Sequence, residues 1–200
     1  MFDAKIIVTL RFSKWVANLV PIRKKNGEIW LCMYFRNLNK VSLKDNYPLP
    51  KMDQILQRVV GSERISTMDG FSGYNQVKVL PEDQEKTTFA TPWGTFMYAK
   101  MPFRLMNAGE TFQRAMDIAF ADKRDKFVVI YMDEITVHFR WAKYHIKHLE
   151  RVFIKCRKYG ISLNRRKSNF ALEEGKLLGH IISKEGIKIN PDRIKGILRV

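Results

Sequence analysis

The sequence is poor in cysteine, has no long apolar run and is short of acid. Cys32 and Cys156 are the only cysteines among 200 residues. Two cannot frame a disulfide scaffold, and neither lies in a CxxC pair suited to zinc, so the composition points to a reducing compartment. The longest unbroken apolar stretches, Ile29 to Phe35 and Phe127 to Met132, fall far short of the roughly 20 residues of a membrane helix. Ile6-Ile7-Val8, bounded by Lys5 and Arg11, is too short for the core of a secretory signal. A soluble intracellular protein without a membrane partner is expected, cytoplasm and nucleus left open. Acids number 20 against 36 Lys plus Arg, a net charge of +16, more than solubility requires, and a polyanionic partner is implied. What is present is apolar enough to fold: hydrophobic residues at 46% and aromatics at 12% exclude disorder.

Periodicity places the elements. Helical spacing runs through Met52, Ile55, Leu56, Val59 and Val60, closed by Gly61, and through Ile146, Leu149, Val152, Phe153 and Cys156, closed by Gly160. Asn107, with Glu110 three residues on, predicts an N-cap for a third helix carrying Phe112, Met116, Ala119 and Phe120 on one face. Alternation predicts a strand over Tyr74 to Leu80. Thr88 to Thr91 and Thr95 to Ala99 flank a turn at Pro92 to Gly94, and Leu177 to Ser183 and Ile187 to Ile189 flank Glu185-Gly186. Helices between antiparallel hairpins predict an α+β fold, not a parallel doubly wound sheet. Between Arg140 and Lys167 stand ten Lys or Arg and one acid, Glu150. That suits a phosphate-facing surface better than a solvated helix face, which normally mixes signs.

The segment Phe127 to Phe139 holds two β-rich apolar runs joined at Met132-Asp133-Glu134, which puts adjacent carboxylates at a hairpin tip. Acids beside an apolar core repel one another and resist desolvation, and a divalent cation relieves both. Their hard oxygens suit Mg²⁺, which keeps waters and takes one or two carboxylates plus substrate phosphates. A third acid, Asp69, ends the run Arg64 to Met68 just before Gly70. Three converging acids in a basic chain match a two-metal phosphoryl-transfer centre; from pattern alone they match an acidic turn in water equally well.

Further stretches follow in order along nearly the whole chain: Trp15 to Val20, Lys24 to Gly27, Phe35 to Lys40, Tyr47 to Pro50, Met68 to Gln76, Lys86 to Thr91 with Gly94, Met101 to Phe103 with Asn107-Ala108 and Thr111 to Gln113, Ile130 to Glu134, and Leu178 to His180. Together they resemble the reverse transcriptases of gypsy-type long-terminal-repeat retrotransposons, relatives of the retroviral enzymes, whose patterns include KKDG, YRxLNK, YPLP, LDLxSGYxQ, KTAFxTxxG, YxDD and FLGH. The resemblance implies a right-hand polymerase with an antiparallel palm sheet backed by helices: fingers over 1–43 and 77–107, palm over 44–76 and 108–190, and no thumb. It implies an RNA-directed DNA polymerase that uses deoxynucleoside triphosphates and a DNA primer on an RNA or DNA template, within a polyprotein that also carries RNase H and integrase. Asp69, Asp133 and Glu134 would be the catalytic acids, holding two Mg²⁺ ions for which Mn²⁺ substitutes. Lys24, Tyr74 and Phe103 would bind the nucleotide, Tyr74 excluding a 2′-hydroxyl. Leu178, Gly179 and His180 would grip the primer end. Each of these has an ordinary alternative: core packing for Tyr74 and Phe103, a solvated loop lysine for Lys24, a plain hairpin for 178–180.

The sequence also departs from that pattern. Trp30 stands where the family usually has Arg, Tyr34 for the Asp of VDYR, Arg104 for the Gly after MPF, Gly109-Glu110 for Pro-Ala, and Glu134 for the second Asp of YxDD. Impaired synthesis is expected from these changes. The alternative is a non-catalytic nucleic-acid-binding remnant.

Overall fold

The computed structural model describes residues 1–23, 27, 29–124 and 126–191. In chain order its elements are β1 (Ile7–Thr9), β2 (Asn18–Arg23), β3 (Ile29–Tyr34), α1 (Arg36–Val41), α2 (Met52–Val59), β4 (Arg64–Gly70), α3 (Pro81–Gln84), β5 (Phe89–Thr91), β6 (Gly94–Tyr98), α4 (Ala108–Ala119), β7 (Val128–Tyr131), β8 (Glu134–Phe139), α5 (His145–Tyr159), β9 (Leu163–Leu172), β10 (Gly175–Leu177), β11 (His180–Ser183) and β12 (Gly186–Ile189). Every strand ladder is antiparallel, and the class is α+β, as expected. Among the described residues no helix is long and apolar enough to cross a membrane. The chain divides into two compact units, Met1–Asn46 with Ser72–Phe112 and Tyr47–Phe71 with Gln113–Val200.

The first unit holds the sheet β1-β6-β5 and the hairpin β2-β3. Its core is aromatic: Met33, Phe35, Phe89 and Tyr98 are buried, with Leu19, Leu38 and Phe96 packed against them. Phe89 and Phe96, register partners across β5 and β6, stack at 5.9 Å between ring centroids. Such a cross-strand pair is the unit of sheet stabilisation. Two expectations fail here. The strand over Tyr74 to Leu80 is instead a 3₁₀ turn, Gly73–Gln76, that follows Ser72 in the left-handed region at φ +52°. Only the end of the stretch is extended, where Met101 N–H donates to Val77 C=O and Val79 N–H to Ala99 C=O. Tyr74 instead packs its ring edge to face against Phe103 and Phe112. Asn107 precedes α4 as expected, but its side chain is engaged elsewhere: Oδ1 accepts from Asp45 N–H and Nδ2 donates to Leu43 C=O.

The second unit is built on a four-stranded sheet in the order β7-β8-β4-β9. Helix α2 buries Ile55, Leu56 and Val59 against Ile65, Val129, Leu177 and Ile182. Each such side chain, fully buried, stabilises the fold by about 1.5–3 kcal/mol. Helix α5 buries Leu149, Val152 and Cys156 and ends, as its glycine predicts, at Gly160 with φ +66°. Alternation along a strand assigns the faces. Ser66 Oγ lies 2.7 Å from His145 Nε2 on α5, so α5 covers the Ser66 face of β4. Ile65, Thr67 and Asp69 lie on the other. The expected strand Leu177 to Ser183 is broken: Leu178 and Gly179, at φ +50° and +79°, form a two-residue turn between β10 and β11. Two successive positive φ values match the twist of a tight hairpin and break the strand there.

Candidate active site

The apolar run Phe127 to Phe139 folds as the expected hairpin, with Tyr131 paired to Glu134 and the turn made of Met132 and Asp133 alone. Met132 sits at φ +54°, a conformation that costs a side-chain-bearing residue about 1–2 kcal/mol. It is held by a bond from its own N–H to Gln113 Oε1, 2.8 Å long. Gln113 is fully buried on α4 and also donates from Nε2 to Ile130 C=O, so it grips the end of β7 as well as the first turn residue.

Strand β4 brings the third acid. Asp69 is the register partner of Glu134 across β4 and β8, so their side chains leave the same face of the sheet. Next to them, Gly70 N–H donates to Asp133 C=O at 2.7 Å. All three acids named from sequence are thus gathered at one end of one sheet. Lys167 on β9 places its Nζ 3.6 Å from Asp69 Oδ2, a loose and exposed ion pair. The cluster repels itself. Glu134 is pushed up to about 7, first by burial and then by the charges of Asp133 and Asp69.

Among the described residues no three His, Cys, Asp or Glu side chains form a preformed metal cage. Magnesium needs none, since one or two carboxylates and the phosphates of a substrate suffice, with water completing the shell. On donor chemistry, hard carboxylate oxygens that repel one another at one end of a sheet are suited to a divalent cation.

The remaining candidates fall elsewhere. Tyr74 and Phe103, in the first unit, meet edge to face at 5.0 Å, and Tyr74 meets Phe112 at 5.5 Å. Phe103 lines a cavity of about 420 Å³ with Ser72, Asn75 and Arg104. Lys24 lies outside the described residues. Leu178 and Gly179 form the turn of a separate sheet, β10-β11-β12, in the second unit, and His180 opens β11, its Nδ1 3.1 Å from Leu178 C=O.

Sequence reading gave Gln113 no role beyond its place in a motif. The available signal was a polar residue among the core positions of α4, with Met116 and Phe120 at i+3 and i+7, all buried. It also missed three histidines, His138, His145 and His148, each under 10% exposed in a basic protein.

A family profile described as reverse transcriptase (RNA-dependent DNA polymerase) matches residues 22–182. The chain belongs to the reverse transcriptase family. Similar reverse transcriptase relatives include the retrovirus-related Pol polyprotein from transposon 297 of Drosophila melanogaster, 32% identical over 184 residues, which are 92% of this chain and 17% of that protein. The Pol polyprotein from transposon gypsy of the same organism is 32% identical over 168 residues, 84% of this chain and 16% of the relative. The Tf2-3 polyprotein of Schizosaccharomyces pombe is 30% identical over 193 residues, 95% and 14%. This reverse transcriptase chain spans under a fifth of these relatives. Among solved structures, the foamy viral protease-reverse transcriptase in complex with double-stranded DNA superposes with TM-score 0.90 at 19% identity, over 100% of this chain and 35% of that one. The same viral protein with an RNA/DNA hybrid gives 0.87 at 19%, over 96% and 26%. That likeness establishes the fold.

Proposed function

We propose that this chain carries the nucleotidyl-transfer site of an RNA-directed DNA polymerase from a retrotransposon polyprotein, extending a DNA primer on an RNA or DNA template with deoxynucleoside triphosphates. Residues 1–43 and 77–107 act as fingers and 44–76 and 108–190 as palm, and RNase H and integrase belong to the same polyprotein. The observation that carries the reading is the pairing of Asp69 with Glu134, beside the bond from Gly70 N–H to Asp133 C=O. Asp69 and Asp133 would hold two magnesium ions, for which manganese would substitute, and Glu134 would be the third acid. When bound, the ions acidify the primer 3′-hydroxyl and neutralise triphosphate charge.

The chain itself positions. The Gly70 to Asp133 bond fixes the backbone carriers of two carboxylates against each other, and Gln113 fixes the turn between β7 and β8. Tyr74 stands against the incoming sugar, Phe103 lines the nucleotide pocket and Lys24 meets the triphosphate. Leu178 to His180 support the primer end. Primer extension on RNA and DNA templates with Mg²⁺ and with Mn²⁺ tests the reading. Synthesis that needs the ion and disappears in Asp69→Asn supports it, and synthesis indifferent to that change overturns it.

A second reading, a nucleic-acid-binding remnant without synthesis, is favoured by Glu134 itself, a longer acid whose carboxyl is raised to about 7. It predicts duplex binding that weakens steeply with salt, log K falling by about 0.9 per phosphate contact per decade, with no extension under either ion.

A further inference from the structure

We infer that Asp117 is a positioning residue for the Met132-Asp133 turn, acting through Gln113 by fixing which way that amide points. The inference rests on the nucleotidyl-transfer reading of Asp133. Asp117 lies one turn along α4 from Gln113, and its side chain is 7% exposed. Three donors converge on it: Tyr47 Oη donates to Oδ2 at 2.7 Å, the Arg124 guanidinium to Oδ2 at 2.6 Å, and Gln113 Nε2 to Oδ1 at 3.0 Å.

The direction of these bonds is forced. An ionised carboxylate only accepts, so Gln113 must turn its NH₂ toward Asp117. The other end of the amide, Oε1, then faces Met132 N–H, where an acceptor is required. With Gln113 fully buried, bulk water is not at hand to replace a lost partner. Two acceptor-only groups, the Asp117 carboxylate and Ile130 C=O, hold that NH₂, and Asp117, not in contact with the reacting atoms, thereby helps hold the residue before Asp133.

Substitution by an amide tests this without changing shape. In Asp117→Asn the new side-chain oxygen satisfies Arg124 and Tyr47, which leaves its NH₂ facing the NH₂ of Gln113. The two NH₂ groups repel, and Gln113, which full inversion would also turn against Ile130 C=O, is displaced so that its bond to Met132 N–H weakens. Amide hydrogen exchange at Met132 and Asp133 in the ion-free full chain should quicken about tenfold, the loss of one buried hydrogen bond. The double variant Asp117→Asn with Gln113→Glu reverses the polarity of the whole path. The glutamate accepts from both the new amide and Met132 N–H, losing only the 3.3 Å bond to Ile130 C=O, and exchange at the turn should return most of the way.

In a chain that extends primers, the single variant should lower kcat by on the order of 10²-fold, because a displacement of about 1 Å is that costly. The double variant should recover it, with the KM for nucleotide unchanged in both. Exchange at Met132 that does not change in Asp117→Asn overturns the inference. So does faster exchange spread evenly over β7, β8 and α4 that the double variant fails to restore, which marks Asp117 as merely structural. Absence of metal-dependent synthesis in the unaltered chain would instead count against the polymerase reading, while the exchange result stands on its own.

Discussion

Arg104→Gly is expected to stabilise the protein, although it removes a large side chain. Arg104 is an exposed residue held at φ +72°, in the left-handed region where a Cβ crowds the following carbonyl. The strain costs about 1–2 kcal/mol. Glycine escapes it and gives back about 0.5–1 kcal/mol through the greater freedom of its unfolded chain. The net gain is about 0.5–1 kcal/mol, or a rise in Tm of about 1–4 °C for a protein of this size. Contacts do not offset it. The bond that Arg104 makes in the loop uses its backbone carbonyl, which accepts from Asn39 Nδ2 at 2.8 Å and survives any substitution. Urea denaturation and calorimetry of the wild type, Arg104→Gly and Arg104→Ala separate strain from side-chain loss, since alanine keeps the Cβ. Glycine no more stable than arginine, or alanine as stabilising as glycine, would refute backbone strain as the cause.

Glu134→Asp combined with Trp30→Arg should raise Mg²⁺-dependent primer extension by on the order of 10²-fold, since shortening the acid by one methylene returns it toward the about 2.0–2.1 Å shell magnesium demands; an unchanged rate would show that these departures from the family pattern do not limit synthesis. Tyr74→Val should increase incorporation of ribonucleotides relative to deoxynucleotides in the same assay. It should also cost about 1–3 kcal/mol through the two ring contacts to Phe103 and Phe112, and a stability loss with discrimination unchanged would leave Tyr74 a packing residue. The buried histidines should weaken the fold on mild acidification, against the opposite pull of Glu134, whose carboxyl, raised to about 7, gains a proton in the native state over the same range. Burial, aided by the charges of Arg58, His145 and His148, pushes His138 down to about 4, while His145 and His148 are lowered chiefly by burial. The unfolded chain therefore binds protons the native state refuses, and stability present above pH 6.5 is lost as pH falls toward 4. His138 alone contributes about 2 kcal/mol of loss between pH 7 and 5. Urea midpoints of Glu134→Gln, which removes the opposing carboxyl, check it across that range, and a flat profile in that variant would refute it.

How much could be read from the sequence depended on how local the cause was. The hairpin 127–139 was legible because its alternation and its turn lie within one short run. Helices α2 and α5 announced their ends through Gly61 and Gly160. Tyr74 to Leu80 misled because polar and apolar residues alternate there too, while the deciding feature, Ser72 at φ +52°, leaves no composition signal. Leu178-Gly179 was hidden inside what reads as one continuous strand. The acids are the opposite case. Nothing local joins Asp69 to Glu134, and only family resemblance suggested their meeting, which the antiparallel register of β4 and β8 provides. The bond from Met132 to Gln113 was invisible because a glutamine on an apolar face carries no sign of what it will accept.

Strand β9 gives some of the positive charge a use unrelated to any ligand. It is the outer member of its sheet, with one backbone edge unpaired among the described residues. An open edge is a template for another chain's strand and so a route to fibres. Arg165, Arg166 and Lys167 stand exposed along it, the pairing with β4 slips register twice, and Ala171 twists out at φ +52°. A docking strand would have to desolvate three cations and match an irregular ladder. Side chains that read in the sequence as a phosphate-facing run therefore also keep copies of this protein from adding to one another's sheets.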